Sequence, residues 1–312
     1  MSRPRSNALT GPSDPRFRSP SEIELMIAMR TPIAVADELT TFIAKVFARR
    51  DIMEAIGDPS GIMIAIYRLY SDAAVGSQRD VKDVVAEARR GWSAIRAATR
   101  DPSVLTEAAF QNTKYRLAQD LIMEDEAVAL KAANDFLYFR LRAGSAAHRV
   151  YLNLDFAAMP AFVAAIFKLD EKERSGITDF KLSGPFAGRA DSVVIYCSSK
   201  ESADGLAKTF SNLISAGDLQ SSNQSVPAMT TRIGAGVAIG AEPSAQATGL
   251  RDPRGGNPSQ QSFGTIRSEV ITAAVLSYRD NAAVLGAGLE TFKQLCAIGF
   301  KGFGLDPANP GS

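Results

Sequence analysis

The stretch RVYLNLD, Arg149 to Asp155, decides how the chain is read. Val150, Leu152 and Leu154 alternate with Arg149, Tyr151 and Asn153, the period-two pattern of a strand that buries one face. Upstream, FLYFRLR (Phe136 to Arg142) has the aromatic and β-type content of a second strand. Downstream, DFKL (Asp179 to Leu182) and DSVVIYC (Asp191 to Cys197) read as strands around the loop SGPFAGRA. SVPAMTTRI and GVAIGAE, near Gly234 and Gly236, read as further short strands. Helices separate and close this set: MPAFVAAIFKLDEKE with Pro160 near its start, Ser199 to Ser215, Ser262 to Arg279, and Asn281 to Cys296.

Before Asn134 the period is that of helices. Ser21 and Glu24 form a capping box ahead of an apolar stripe, GDPSG (Gly57 to Gly61) reads as a turn, and Asp80 to Thr99 is amphipathic with Trp92 on its apolar side. A long helix is expected from Ser103 to about Asn134. Helices massed in the first half and strands in the second predict an α+β fold: a helical N-terminal region, then a mixed or antiparallel sheet with flanking helices. The boundaries expected are a disordered tail over 1–20, a helical region over 21–134, an α+β domain over 135–306 and a short tail over 307–312. Residues 1–20 hold four prolines and four arginines with few large apolar residues, too little to offset the entropy of ordering. Such a segment suits a type III secretion signal. The run Thr248 to Gln261, rich in Gly, Pro, Gln and Asn, reads as mobile.

Composition removes several function classes. Thirty-five Lys and Arg nearly cancel 34 Asp and Glu, so no charge excess points to nucleic acid or an anionic membrane. The longest uncharged apolar run, Phe156 to Phe167, has 12 residues, where a membrane-spanning helix needs about 20. His148 is the sole histidine and Cys197 and Cys296 the sole cysteines, so three-histidine or cysteine-rich zinc sites are excluded and no metal or other cofactor is expected. GxxxxGK[ST], HExxH and GxSxG are all missing. Any chemistry falls to Lys, Arg, Tyr and carboxylates.

The second half sets cations at strand ends and loops. Arg149 opens one strand, Lys181 lies in the next, Arg189 sits in a glycine-containing loop, Arg232 precedes a Gly-rich turn and Arg267 lies in the first turns of a helix. Spacing alone favours solvated surface charges. If the faces converge, they form an anion site, for which the arginine fork suits two phosphate oxygens at once. Asp191 and Glu242 read as partners for arginine or backbone N–H groups.

At these residues RVYLNLD, FKLSGP…RADSVVIYC, TTRIGAGVAIGAEPS and SFGTIRSEV, in this order and spacing, resemble the HopA family of type III secretion effectors. A related domain is the lyase component of class V lanthipeptide biosynthesis, and both are distantly similar to phosphothreonine lyases. The likeness runs from about Phe139 to DPANP near the C-terminus, and IYRLY (Ile66 to Tyr70) is similar to a segment of the plant-pathogen effectors. It implies metal-free β-elimination of phosphate from a phosphorylated serine or threonine in a protein or peptide. Lys181 then matches the base that takes the Cα proton, and Tyr151 stands where the phosphothreonine lyases carry a histidine acid. Arg149, Arg189 and Arg267 match phosphate-holding cations, with Arg232 grouped beside them. A free lysine, with a pKa of about 10.4, is a poor base at neutral pH, so burial and neighbouring arginines have to lower it. The other reading is a non-catalytic effector that binds a host protein through a cationic cleft. The resemblance places the chain in the producer's cytoplasm or, after type III secretion, in a host cell.

Overall fold

In a computed structural model the chain is described at residues 29, 31–55, 58–71, 81–98, 108–110, 122–185, 188–221, 225–242 and 263–311. The expected tail over 1–20, the capping box at Ser21 and the run Thr248 to Gln261 lie outside them. The elements are α1 (Asp37–Phe47), α2 (Arg50–Met53), α3 (Pro59–Tyr70), α4 (Val81–Ala98), β1 (Ala108–Phe110), α5 (Glu126–Asn134), β2 (Phe136–Arg140) and β3 (His148–Leu152). They continue with α6 (Met159–Lys168), α7 (Glu171–Ser175), β4 (Ile177–Ser183), β5 (Val193–Cys197), α8 (Lys200–Ser215), β6 (Thr231–Gly234), β7 (Val237–Ala241), α9 (Phe263–Leu285) and α10 (Leu289–Gly302). The fold is α+β.

The strands form one sheet in the order β1-β2-β4-β5-β3-β7-β6, and every pairing is antiparallel. RVYLNLD is therefore central, flanked by β5 and β7, and alternation sends Val150 and Leu152 to one face and Arg149 and Tyr151 to the other. On the first face Leu137, Phe139, Phe180, Leu182, Val193, Ile195 and Ile239 meet apolar residues of α4, α6 and α8, including Trp92, Phe162 and Phe210. Phe139 stacks on Phe180 with centroids 4.7 Å apart, and Phe162 meets Phe180 edge-on. A fully buried side chain of this kind contributes about 1.5–3 kcal/mol, so this face anchors the sheet.

The second face is covered as well. Helices α1, α3, α9 and α10 share their own core, with Leu39, Phe42, Ile62, Ile66, Phe263, Val270, Phe292 and Phe300 buried together. Phe263 carries this layer onto the sheet: its ring lies 6.0 Å from that of Tyr151, and a Cβ on Gly240 would stand 2.7 Å from it. Helices from both ends of the sequence thus build one layer, and packing crosses the boundary expected at 134.

Local signals explain the helix starts. Asp58 caps α3 by accepting from Ser60 N at 3.0 Å, with Pro59 in the first turn, so the expected turn over 57–61 is partly the opening of a helix. Asp125, Asp170 and Ser199 cap α5, α7 and α8 in the same manner. One expectation is corrected. Ala108–Phe110 is a strand paired with β2, not part of a helix from Ser103, because an open sheet edge outweighs the helix preference of alanine. Residues 307–311 are tied down: Pro307 O accepts from Ala36 N, Pro310 O from Arg267 Nε and Gly311 O from Ala241 N.

Candidate active site

The polar face of the sheet is ordered by register. Tyr138, Lys181, Val194, Tyr151 and Ala238 form one cross-strand row, and Arg140, Asp179, Tyr196, Arg149 and Gly240 form the next. Lys181 and Arg149 are therefore two strands and one row apart, near enough for their long side chains to converge over Val194. The turn between β4 and β5 brings in Arg189 and Asp191. That turn has to pass close to α5: a Cβ on Gly184 would sit 2.1 Å from Ala132 O.

Arg189 grips Asp191 as a two-pronged pair, with Nε to Oδ1 at 2.7 Å and Nη2 to Oδ2 at 3.0 Å. Burial works against the Arg189 charge, but Asp191 and Tyr67 offset this and raise its pKa. Arg149 pairs with Glu242 and lies over the Tyr196 ring, its central carbon 4.7 Å from the centroid. Burial lifts the Glu242 carboxyl above the ordinary carboxylate value, and Arg149 partly restores it.

Lys181 lies between these pairs and has no ion-pair partner among the described residues. It is 5% exposed, with Nζ 3.8 Å from the Phe136 centroid and 5.7 Å from that of Tyr138. Burial lowers its pKa to about 7, Arg149 and Arg189 push in the same direction, and Asp191 and Asp135 oppose them. A buried amine that exchanges its proton near neutrality is suited to general-base chemistry.

The remaining expected residues divide. Tyr151 belongs to this face, with its hydroxyl buried against that of Tyr70, the two phenols close enough to interact with each other. Burial raises the Tyr151 pKa, with Arg149 acting against that. Arg267 is fully buried behind Phe263, its central carbon 3.3 Å from that ring centroid and Nε donating to Pro310 O at 2.8 Å. Burial brings its pKa down to about 10. Arg232 lies on β6 opposite Ala238, exposed at the sheet edge and four strands, about 19 Å, from Lys181. The structure thus gathers Lys181, Arg149 and Arg189, places Tyr151 beneath them, sets Arg267 behind Phe263 where its charge still reaches Glu242 and Tyr151, and leaves Arg232 outside.

Other side chains at the site were not singled out as site residues from the sequence. Tyr138 and Tyr196 rise from β2 and β5 beside Lys181 and Arg149; period two along FLYFR and VVIYC sets them on this face. Burial raises both phenols, that of Tyr196 up to about 12. Tyr67 and Tyr70 come from α3, whose IYRLY stretch is the part of the helical region that resembles the effectors, although helical spacing alone does not tell a site residue from a core one. Among the described residues no group of three or more His, Cys, Asp or Glu is placed to hold a metal ion, and no helix is long and apolar enough to cross a membrane.

Residues 118–311 match the HopA1 effector protein family. The chain belongs to that family. Among solved structures it is similar to the effector protein from Pseudomonas syringae pv. tomato strain DC3000, with a TM-score of 0.53 at 16% identity over 88% of this chain and 95% of that one. It is equally similar to the effector protein from Pseudomonas syringae pv. syringae strain 61, with the same TM-score, identity and coverage. At this identity the likeness concerns the fold, and its coverage takes in the N-terminal helices as well as the family segment. No curated protein matches the chain.

Proposed function

We propose that this HopA1-family protein is a phosphoserine/phosphothreonine lyase, delivered into a host cell by type III secretion. The observation that carries the proposal is the buried Lys181, without an ionic partner among the described residues, between the Arg149–Glu242 and Arg189–Asp191 pairs. Arg149 and Arg189 hold the phosphoryl oxygens of the substrate. Neutral Lys181 Nζ takes the Cα proton, the C–H electron pair becomes the Cα=Cβ bond, and the Cβ–O bond breaks with its electrons leaving on phosphate. The products are a dehydroamino acid, inorganic phosphate and protonated Lys181. The same guanidinium groups stabilise charge on the departing phosphate, so its release needs no metal. Tyr151 can reach the leaving oxygen only if Tyr70 or Phe263 moves, because its hydroxyl has no solvent contact.

Incubation with phosphothreonine and phosphoserine peptides tests this reading. The expected product is one water lighter than the unphosphorylated peptide, and Lys181→Ala removes turnover while the fold persists. Simple dephosphorylation, or unchanged mass across a broad panel, refutes it. One observation favours a second reading, an effector that binds a host protein without catalysis: each arginine already has a carboxylate partner, which suits a docking surface for a mixed-charge segment.

A further inference from the structure

Helix α3 lies outside the family-matched residues 118–311, yet its last turn reaches the site. Arg189 Nη2 donates to the Tyr67 hydroxyl oxygen at 3.3 Å. A guanidinium has no acceptor, so the phenol must be the accepting partner in this contact, and its own proton points elsewhere. The Tyr67 ring is held firmly. It lies 5.7 Å from the Tyr70 ring and 5.4 Å from the Arg189 guanidinium carbon, and a Cβ on Gly264 would stand 2.9 Å from it. The carbonyls at the end of α3 are tied to the site loops as well: Ser71 O accepts from Ala190 N, next to Arg189, and Tyr70 O accepts from Ala228 N. Tyr67 is half-buried, whereas the Tyr70 hydroxyl is shut away. Through Arg189, Tyr67 joins the cluster that rises from the sheet.

We propose that Tyr67 is a ligand of the phosphoryl group, its oxygen fixed by Arg189 and its hydroxyl proton donated to the same anion that Arg189 binds. The inference rests on reading the Lys181–Arg149–Arg189 cluster as a phosphate-monoester site, and it adds a neutral donor, from outside the family-matched segment, to these cations. A neutral donor binds an anion without further depressing the Lys181 pKa, as a third arginine would.

The test is calorimetric titration of the full chain with inorganic phosphate near neutral pH. Tyr67→Phe keeps the ring and removes the donor; its phosphate Kd is expected to rise about tenfold. Tyr70→Phe is expected to stay within about twofold of the unaltered protein, since that hydroxyl has no access. The Tyr67→Phe loss should persist in an Arg189→Lys background, because two ligands of one anion each contribute. Disappearance of the loss there makes Tyr67 a mere support for Arg189 and overturns the assignment, as does an unchanged Kd in Tyr67→Phe or an unaltered protein that binds no phosphate. A peptide assay run in parallel separates the two claims: phosphate binding with the tenfold loss, but no elimination from any phosphopeptide, removes the lyase reading and leaves Tyr67 as an anion ligand.

Discussion

Replacing Lys181 by methionine should stabilise the protein near neutral pH, and the gain should disappear as the solution becomes alkaline. In the unfolded chain the amine titrates near 10.4, while burial brings it to about 7 in the folded state. Between these values the unfolded state binds more protons, so stability rises with pH across that window. Below about pH 7 the folded protein carries the full cost of a charged buried amine, and above about 10.4 it carries none. At 1.36 kcal/mol per pH unit the limiting cost is on the order of 5 kcal/mol, an upper bound because relaxation and the Phe136 ring reduce it. Methionine fills similar volume without the charge, and about 2–3 kcal/mol of stabilisation at pH 7 is expected. Equilibrium urea denaturation of both proteins between pH 6 and about pH 10 measures the difference, with surface lysines cancelling between them. Elimination activity should rise through an apparent pKa of about 7 over the same range, as Lys181 loses its proton. A methionine variant less stable at pH 7, or a stability difference that is flat with pH, refutes the account of Lys181 as a strained, readily neutralised base.

Two other substitutions probe the frame around it. Asp191→Asn leaves Arg189 without its paired carboxylate, so a loss of about 3–5 kcal/mol in denaturant stability is expected. It should also shift the acidic limb of the activity profile to lower pH, because Asp191 holds the Lys181 pKa up. Removing residues 307–312 takes away the acceptors for Arg267 Nε, Ala241 N and Ala36 N, so the fully buried guanidinium loses one of its hydrogen bonds. A loss of at least about 3 kcal/mol should appear as a lower melting temperature; a melt unchanged by the truncation counts against the tie.

The sequence carried the strands better than their neighbours. Alternation in RVYLNLD and VVIYC is local, so the face shown by Arg149, Tyr151 and Tyr196 follows from chain geometry alone. Strand order is a long-range property. Nothing local sets β3 between β5 and β7, and the same order carries Arg232 to the far edge while Lys181, which pairs with Tyr138, stays central. Arg267 was legible as a cation at a helix start; its engagement depends on where residue 310 comes to lie. Tyr67 and Tyr70 were hidden for another reason. On an amphipathic helix a tyrosine facing a polar cleft has the same spacing as one facing a core. The strand at Ala108–Phe110 was lost to composition, since Ala-Ala-Phe favours a helix until an open edge offers it a partner.

The seam formed by residues 307–311 also sets the order of assembly. A nascent polypeptide displays Lys181 early in its emergence from the ribosome, but the clasp on Arg267 and on the rim of β7 cannot close until Pro310 and Gly311 have been synthesised. Until then the Arg267 guanidinium behind the Phe263 ring has no Pro310 carbonyl to hold it, so this corner of the helical layer is among the last parts of the fold to be fastened.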